Sequence, residues 1–108
     1  LRGVFHSFCA PTATGEKAIG LGYLVSYSGM ITFRMAENVR ESAAALPLEA
    51  MLVETDAPYL APAPFRGKPN EPAFVGRTAA KLAEVKGVSL EEAGRVTTSN
   101  FLRLFGTP

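Results

Sequence analysis

The apolar positions of the chain change period along its length, and these changes divide it into short strands and helices. Val39, Ala43 and Leu46 are spaced as on one face of a helix. Short runs rich in Val, Tyr and Leu that end in polar or turn residues are typical of strands. The pattern predicts strands at residues 4–5, 23–27 and 50–55, helices at residues 12–20, 35–46 and 73–86, and a last helix that begins near Ser89 and ends at Gly106.

Cap and stop residues support these boundaries. Thr12 or Thr14 is available as the N-cap of the first helix, and Ser89 with Glu92 forms a capping-box pattern for the last. Residues that commonly end helices follow the first three, namely Gly22, Pro47 and Gly87.

The predicted order is β-α-β-α-β-loop-α-α, which places the chain in the α/β class. Strands that alternate with helices form parallel sheets with right-handed crossovers. Three strands are few for a free-standing parallel sheet, because such a sheet is normally covered on both faces. The 108 residues suit either one small domain or a piece of a larger one, and the small number of strands favours the second.

Composition excludes several classes of protein. The 108 residues carry a net charge of +1, so the chain is neither a strongly basic nucleic-acid binder nor a basic membrane-surface protein. No apolar run approaches the roughly 18 residues of a membrane span. The single cysteine, Cys9, fits a reducing compartment, and we expect a cytoplasmic protein in which Cys9 is buried or half-buried.

Polar side chains follow each predicted strand. The first strand ends at His6, the second at Ser28, and the third at Glu54 and Asp56. In a parallel sheet these ends meet on one side, which is where α/β proteins carry their sites. Imidazole and carboxylate suit a divalent metal ion. Two alternatives stay open: His6 as a hydrogen-bonded structural residue, and Asp56 as an Asx-turn without chemistry.

A basic segment follows the acidic strand end. Arg66, Lys68 and Asn70 lie in a proline-rich loop before a predicted helix N-terminus. This combination suits a phosphate clamp, with Arg66 as a bidentate donor and Lys68 as a point charge. The alternative is a solvated basic turn. Tyr59 or Phe65 could stack on a base, although packing beneath the loop is the better explanation for either residue.

Several motifs resemble the TatD family of metal-dependent hydrolases and deoxyribonucleases. ETDAP at residues 54–58 and RGKPNEP at residues 66–72 resemble two of its signatures in the same order. GVFHSF at residues 3–8 resembles its strand-end histidine motif, and YLVSYSGMITF at residues 23–33 its next strand and turn. TTSNFLRLFG at residues 97–106 resembles its C-terminal end. The resemblance covers essentially the whole chain.

The resemblance implies the C-terminal portion of a TIM-type (β/α)8 barrel, a fold of typically about 250 residues. Residues 1–108 would supply about three parallel strands, the sixth to eighth, with the helices that flank and follow them. The remainder of the barrel is expected N-terminal to Leu1.

The resemblance also implies a metal site. His6 and Asp56 would be ligands in a centre that holds divalent ions, Mg²⁺, Mn²⁺ or Zn²⁺, with two in the complete site. Asp56 would also act in catalysis by receiving a proton from water, and Glu54 by orienting water or substrate. The family's remaining metal ligands are not in this sequence.

Substrate contacts follow in the same way. Arg66 and Asn70 would contact a substrate phosphate, with Lys68 beside them. One departure is local: the family places a small hydroxyl residue and then glycine after Phe8, whereas this chain has Cys9, Ala10 and Pro11.

The implied function is a deoxyribonuclease that cleaves phosphodiester bonds from 3′ ends, with single-stranded DNA as partner and no membrane. Two alternatives remain. The same metal site could hydrolyse an amide or ester outside nucleic acids. The chain by itself could instead be an inactive fragment with an incomplete metal site.

Overall fold

In the computed structural model, which describes residues 3–54 and 75–104, three short strands form one parallel sheet in the order β1-β2-β3. This confirms the predicted α/β class with three parallel strands and flanking helices. The elements are β1 (Gly3–Phe5), α1 (Thr12–Gly20), β2 (Tyr23–Tyr27), α2 (Glu37–Ala45), β3 (Met51–Val53), α3 (Val75–Lys86) and α4 (Leu90–Leu104), with short 3-10 helices at Gly29–Thr32 and Leu48–Ala50.

The two faces of the sheet pack into two different hydrophobic clusters, because strand side chains alternate between faces. Val25, Tyr27 and Met51 are fully buried in the main core, together with residues of α2, α3 and α4. Leu24 and Leu52 belong to a second, smaller cluster. The polar residues at the strand ends therefore follow strands that are packed into hydrophobic clusters on both faces of the sheet.

Helix α1 spans the predicted residues, but its N-terminus differs from the prediction. Pro11 is the N-cap, and no side chain caps the helix there. The predicted caps Thr12 and Thr14 were wrong because the helix already includes both of them. Its end was predicted correctly: Gly22 has a φ of 94°, and its N–H donates to the carbonyl of Ile19 at 2.9 Å.

Helix α2 confirms the predicted apolar face and is shorter than its predicted span. Val39, Ala43 and Leu46 are each at most 2% exposed. Leu46 itself leaves the helix with a ψ of 155°, because the residue before Pro47 is disfavoured in the helical region.

Strand β3 is also shorter than predicted. The chain enters it through the 3-10 turn at Leu48–Ala50, so Ala50 belongs to the turn and pairing covers only Met51–Val53. The predicted last residue, Thr55, lies outside the described residues.

The connection between α3 and α4 follows the sequence signals closely. Gly87 has a φ of 68°, and the N–H groups of Gly87 and Val88 donate to the carbonyls of Glu84 and Ala83, which is a Schellman motif. Ser89 caps α4 by accepting the Glu92 N–H at 3.0 Å.

The capping box is only half formed, because the Glu92 carboxylate turns to Arg95 instead, with two contacts of 2.9 Å. The predicted starts of α3 at residues 73–74 and end of α4 at residues 105–106 lie outside the described residues.

Three polar side chains of the helices donate hydrogen bonds to backbone carbonyls of other segments. Asn100 of α4 is buried, and its Nδ2 donates to the carbonyl of Met51 at 2.8 Å and to that of Leu48 at 3.0 Å. Lys86 of α3 donates from Nζ to the carbonyl of Ala44 at 3.1 Å, and desolvation by burial lowers the pKa of its ammonium group. Arg40 binds carbonyls of the segment before α2.

Within residues 3–54 and 75–104, none of the helices combines the length and apolar character that crossing a membrane requires.

Candidate active site at the strand ends

The sheet register brings the polar strand ends to one edge. Phe5 pairs with Val25, and Tyr27 with Val53, all in parallel. His6 and Glu54 each follow directly after a strand, so both lie at the C-terminal edge of the sheet. They meet across β2, since β1 and β3 are the outer strands of the described sheet.

His6 and Glu54 form the central pair of this edge. The His6 Nδ1 lies 3.4 Å from the Glu54 Oε2. The histidine side chain is 75% exposed, whereas the glutamate side chain is 18% exposed. A mostly accessible imidazole therefore rests against a mostly buried carboxylate.

The backbone fixes Glu54 in place. Its N–H donates to the carbonyl of Tyr27 at 2.9 Å, which continues the ladder between β2 and β3. Its Oε2 accepts the backbone N–H of Ser7 at 3.0 Å. Glu54 therefore joins the end of β3 to the turn that follows β1.

That turn contains a contact the sequence did not reveal. Ser7 has a φ of 46°, a left-handed conformation that is uncommon for residues other than glycine. Its hydroxyl lies 2.9 Å from the hydroxyl of Ser28, which is only 2% exposed. Ser28 was predicted as a polar strand end, but nothing in the sequence distinguishes Ser7, since a serine can occupy almost any loop conformation.

The segment after the turn corrects one prediction. Cys9 is exposed rather than buried. Phe8, not Cys9, faces the core: it is 4% exposed, and its N–H donates to the carbonyl of Ser26 at 2.8 Å. Cys9 therefore points away from the core, and its carbonyl accepts from the Asn38 side chain at 3.4 Å.

The side chains at this edge are of the kinds that bind divalent metal ions, but the described residues bring together too few of them to hold an ion. An accessible imidazole beside a carboxylate provides nitrogen and oxygen donors that Zn²⁺ or Mn²⁺ accepts. Among the described residues, no three His, Cys, Asp or Glu side chains group closely enough to hold an ion. Four predicted site residues, Asp56, Arg66, Lys68 and Asn70, lie outside the described residues.

One cavity in the described part of the chain lies away from this edge. It has a volume of about 320 Å³ and is lined mainly by apolar residues, with Leu24, Ala50 and Leu104 among them. These residues lie near the starts of β2 and β3, at the opposite edge from His6. We locate the chemistry at the strand ends because the titratable groups converge there.

A parallel sheet with imidazole and carboxylate at its C-terminal edge is an arrangement suited to a metal-dependent enzyme of the α/β class. The sequence matches the family described as TatD related DNase over residues 1–106. The chain therefore belongs to this family, and the resemblance inferred from its motifs is confirmed.

Individual relatives agree with this assignment. The uncharacterized metal-dependent hydrolase YcfH of Escherichia coli K12 is 52% identical over 103 residues, which cover 95% of this chain and 39% of that protein. The uncharacterized metal-dependent hydrolase TatD of Mycobacterium tuberculosis is 42% identical over 103 residues. The chain spans about two fifths of the length of these curated relatives.

Solved structures show the same fold. The crystal structure of YJJV, a TatD homolog from Escherichia coli K12, superposes with a TM-score of 0.90 at 35% identity, covering 98% of this chain and 41% of that one. A TatD family hydrolase from Entamoeba histolytica gives a TM-score of 0.84 at 20% identity, which supports the fold alone. The assignment of the three strands as the sixth to eighth of a barrel stays a prediction.

Proposed function

We propose that this chain contributes to a metal-dependent hydrolase that cleaves phosphodiester bonds in DNA from 3′ ends. One observation carries the proposal. His6 and Glu54 come from the ends of two non-adjacent strands and meet at 3.4 Å, while the imidazole stays 75% exposed. An accessible imidazole held against a carboxylate at this edge suits a metal-dependent site, in which a carboxylate commonly orients a histidine ligand.

Each of the proposed site residues would have a distinct role in the reaction. His6 and Asp56 hold divalent ions, Mg²⁺, Mn²⁺ or Zn²⁺, with two in the complete site. When bound, such ions lower the pKa of water and stabilise charge on phosphate oxygens. Asp56 would take the proton that the attacking water loses, and Glu54 would keep His6 and nearby water or substrate in position.

The preference for DNA depends on the basic loop. Arg66, Lys68 and Asn70 supply a planar cation, a point charge and an amide donor, which together suit a phosphodiester. Their support comes from the RGKPNEP motif and from the family description, TatD related DNase. Single-stranded DNA with a free 3′ end is the proposed substrate, and the cytoplasm the proposed compartment.

The test uses a longer polypeptide, because the chain spans about two fifths of its relatives. Residues 1–108 replace the matching segment of the E. coli relative YcfH, and the chimera is incubated with 3′-labelled single-stranded DNA and Mg²⁺ or Mn²⁺. We expect label release that EDTA abolishes. Asp56→Asn should lower the rate more than about 100-fold, since even outer-shell changes at metal sites cost about 10–100-fold.

Two further variants separate the parts of the proposal. Arg66→Ala should weaken cleavage of DNA while metal binding is retained, and Arg95→Gln, on the exposed surface of α4, should change neither. Asp56→Asn with undiminished DNA cleavage would contradict the metal role. Metal-dependent cleavage of amides or esters, with DNA untouched, would favour the other substrate class.

A further inference from the structure

We propose that Glu54 is a positioning residue that selects the tautomer of His6. In this arrangement the Nδ1 of His6 keeps the proton and directs its N–H towards the Glu54 carboxylate, so that Nε2 is left unprotonated and available to a metal ion. That the partner of Nε2 is a metal ion rests on the function proposed above. The tautomer itself does not, because it is a property of the chain without metal or substrate.

The ring orientation is the first support. Nδ1 is the imidazole nitrogen that faces the carboxylate, at 3.4 Å from Oε2. The separation is an ion-pair distance and is longer than a typical N–H···O hydrogen bond. Nε2 lies on the other side of the ring, so it points away from Glu54. Within the described part of the chain, His6 has no second polar partner.

The second support is that Glu54 is anchored independently of His6. Its backbone N–H is held by Tyr27, its Oε2 accepts the Ser7 N–H, and its side chain is only 18% exposed. A carboxylate fixed by its own strand and by the neighbouring turn can orient an exposed ring beside it. An exposed histidine that relied on a mobile partner would gain no such preference.

The third support is the turn between His6 and Phe8. The left-handed backbone of Ser7, with a φ of 46°, aims its N–H at Oε2, the same oxygen that faces the ring. The Ser7 hydroxyl meets Ser28 at 2.9 Å, which joins this turn to the end of β2. One carboxylate oxygen therefore sets both the path of the backbone and the orientation of the imidazole beside it.

This role differs from proton transfer to or from a substrate. Oε2 is occupied by groups of the chain itself, whereas Oε1 accepts no hydrogen bond from residues 3–54 or 75–104. Carboxylates that accept the second N–H of a metal-bound histidine fix its tautomer and raise its basicity as a ligand. Glu54 has the geometry for that function in this chain.

The experiment is nuclear magnetic resonance of the intact chain with ¹⁵N-labelled histidine, without metal. His6 is the only histidine among the 108 residues, so both ring-nitrogen signals belong to it, and their different couplings to the ring protons Hδ2 and Hε1 distinguish Nδ1 from Nε2. Spectra are recorded near pH 8.5, where free imidazole is neutral. We expect the proton on Nδ1 in the wild type. In Glu54→Ala it should move predominantly to Nε2, the tautomer that free histidine prefers.

Ser28→Ala is the matched control. It removes the hydroxyl contact with Ser7 in the same turn but leaves the carboxylate beside His6. The Nδ1–H tautomer should persist there. If Ser28→Ala changes the tautomer as much as Glu54→Ala does, the turn rather than Glu54 sets it, and the proposal is overturned.

Failure of Glu54→Ala to fold would not remove the test. A wild-type His6 protonated at Nε2 would refute the proposal with no variant needed, and Glu54→Gln, which keeps an oxygen acceptor and the side-chain shape, should retain part of the Nδ1–H population. The readout requires neither DNA nor metal. A chimera that fails to cleave DNA would therefore contradict the proposed function while leaving the tautomer result intact.

Discussion

Tyr27 shows how a single residue at the end of a strand links the site to the core. Its side chain is fully buried, packs edge-on against Phe8 with ring centroids 6.1 Å apart, and meets the Ser42 hydroxyl of α2 at 2.9 Å. Its carbonyl accepts the Glu54 N–H. Burial raises the pKa of its phenol to about 12, with the Ser42 contact as a smaller opposing influence.

Stability should therefore fall as the pH rises from about 10 towards 12. The unfolded tyrosine loses its proton from about pH 10, the folded one retains it to about pH 12, and so alkaline pH favours the unfolded chain. Below pH 10 both states are protonated and Tyr27 contributes no slope. Within the window the loss approaches about 1.4 kcal/mol per pH unit, which urea unfolding at several pH values measures.

Tyr27→Phe should flatten this part of the profile, whereas Tyr23→Phe, the same chemical change at the start of β2, should keep it. The lowered pKa of Lys86 acts with the opposite sign, because there the unfolded chain binds more protons and stability rises with pH. Because both groups contribute, the test compares the slope of unfolding free energy against pH between the wild type and each tyrosine variant. Equal slopes for the wild type and Tyr27→Phe would contradict the prediction.

At the scale of elements, the helix ends that depend on local chemistry could be predicted and those that depend on packing could not. Gly22 and Gly87 adopt the left-handed conformations that a stop signal requires, with φ values of 94° and 68°. Pro11, by contrast, takes the N-cap position although Thr12 and Thr14 are better capping residues. The entry of the chain into α1 is set by the turn after β1, which the sequence pattern does not encode.

The N-cap of α4 gives a direct test of the local rule. Ser89 accepts the Glu92 N–H at 3.0 Å. Ser89→Ala leaves that donor without its cap and should destabilise the chain by about 1 kcal/mol. Urea unfolding measures the change. Ser99→Ala, the same substitution at an exposed position inside α4, should be nearly neutral, and an equal loss in both variants would show that capping is not the cause.

In the candidate site, too, some residues could be predicted from the sequence and others could not. The convergence of His6, Ser28 and Glu54 followed from the parallel order of strands, because polar residues stood at each C-terminal end. Ser7 did not follow, since its contacts depend on a left-handed turn that only the folded backbone reveals. Asn100 was missed for a related reason: its partners, the carbonyls of Leu48 and Met51, lie about 50 residues earlier and come near it only through tertiary packing.

At the scale of the whole molecule, the described sheet leaves β1 and β3 as its outer strands, and the chain corresponds to about two fifths of each curated relative. The chemistry at the C-terminal edge is likewise partial. The chain supplies two of the proposed metal ligands, His6 and Asp56, while Glu54 contacts His6. A metal ion held by so few protein groups keeps most of its coordination in water and dissociates readily.

The 108-residue chain alone should therefore bind Mn²⁺ or Zn²⁺ at least about 100-fold more weakly than the YcfH chimera, since each missing ligand costs more than the roughly 10–100-fold of an outer-shell change. It should also release no label from 3′-labelled single-stranded DNA. Isothermal titration calorimetry and the cleavage assay, run on both proteins in parallel, measure the two quantities. Tight metal binding with robust EDTA-sensitive cleavage by the chain alone, lost in Asp56→Asn, would mean that residues 1–108 assemble a sufficient metal site by themselves, either within one chain or between copies that pair through the outer strands.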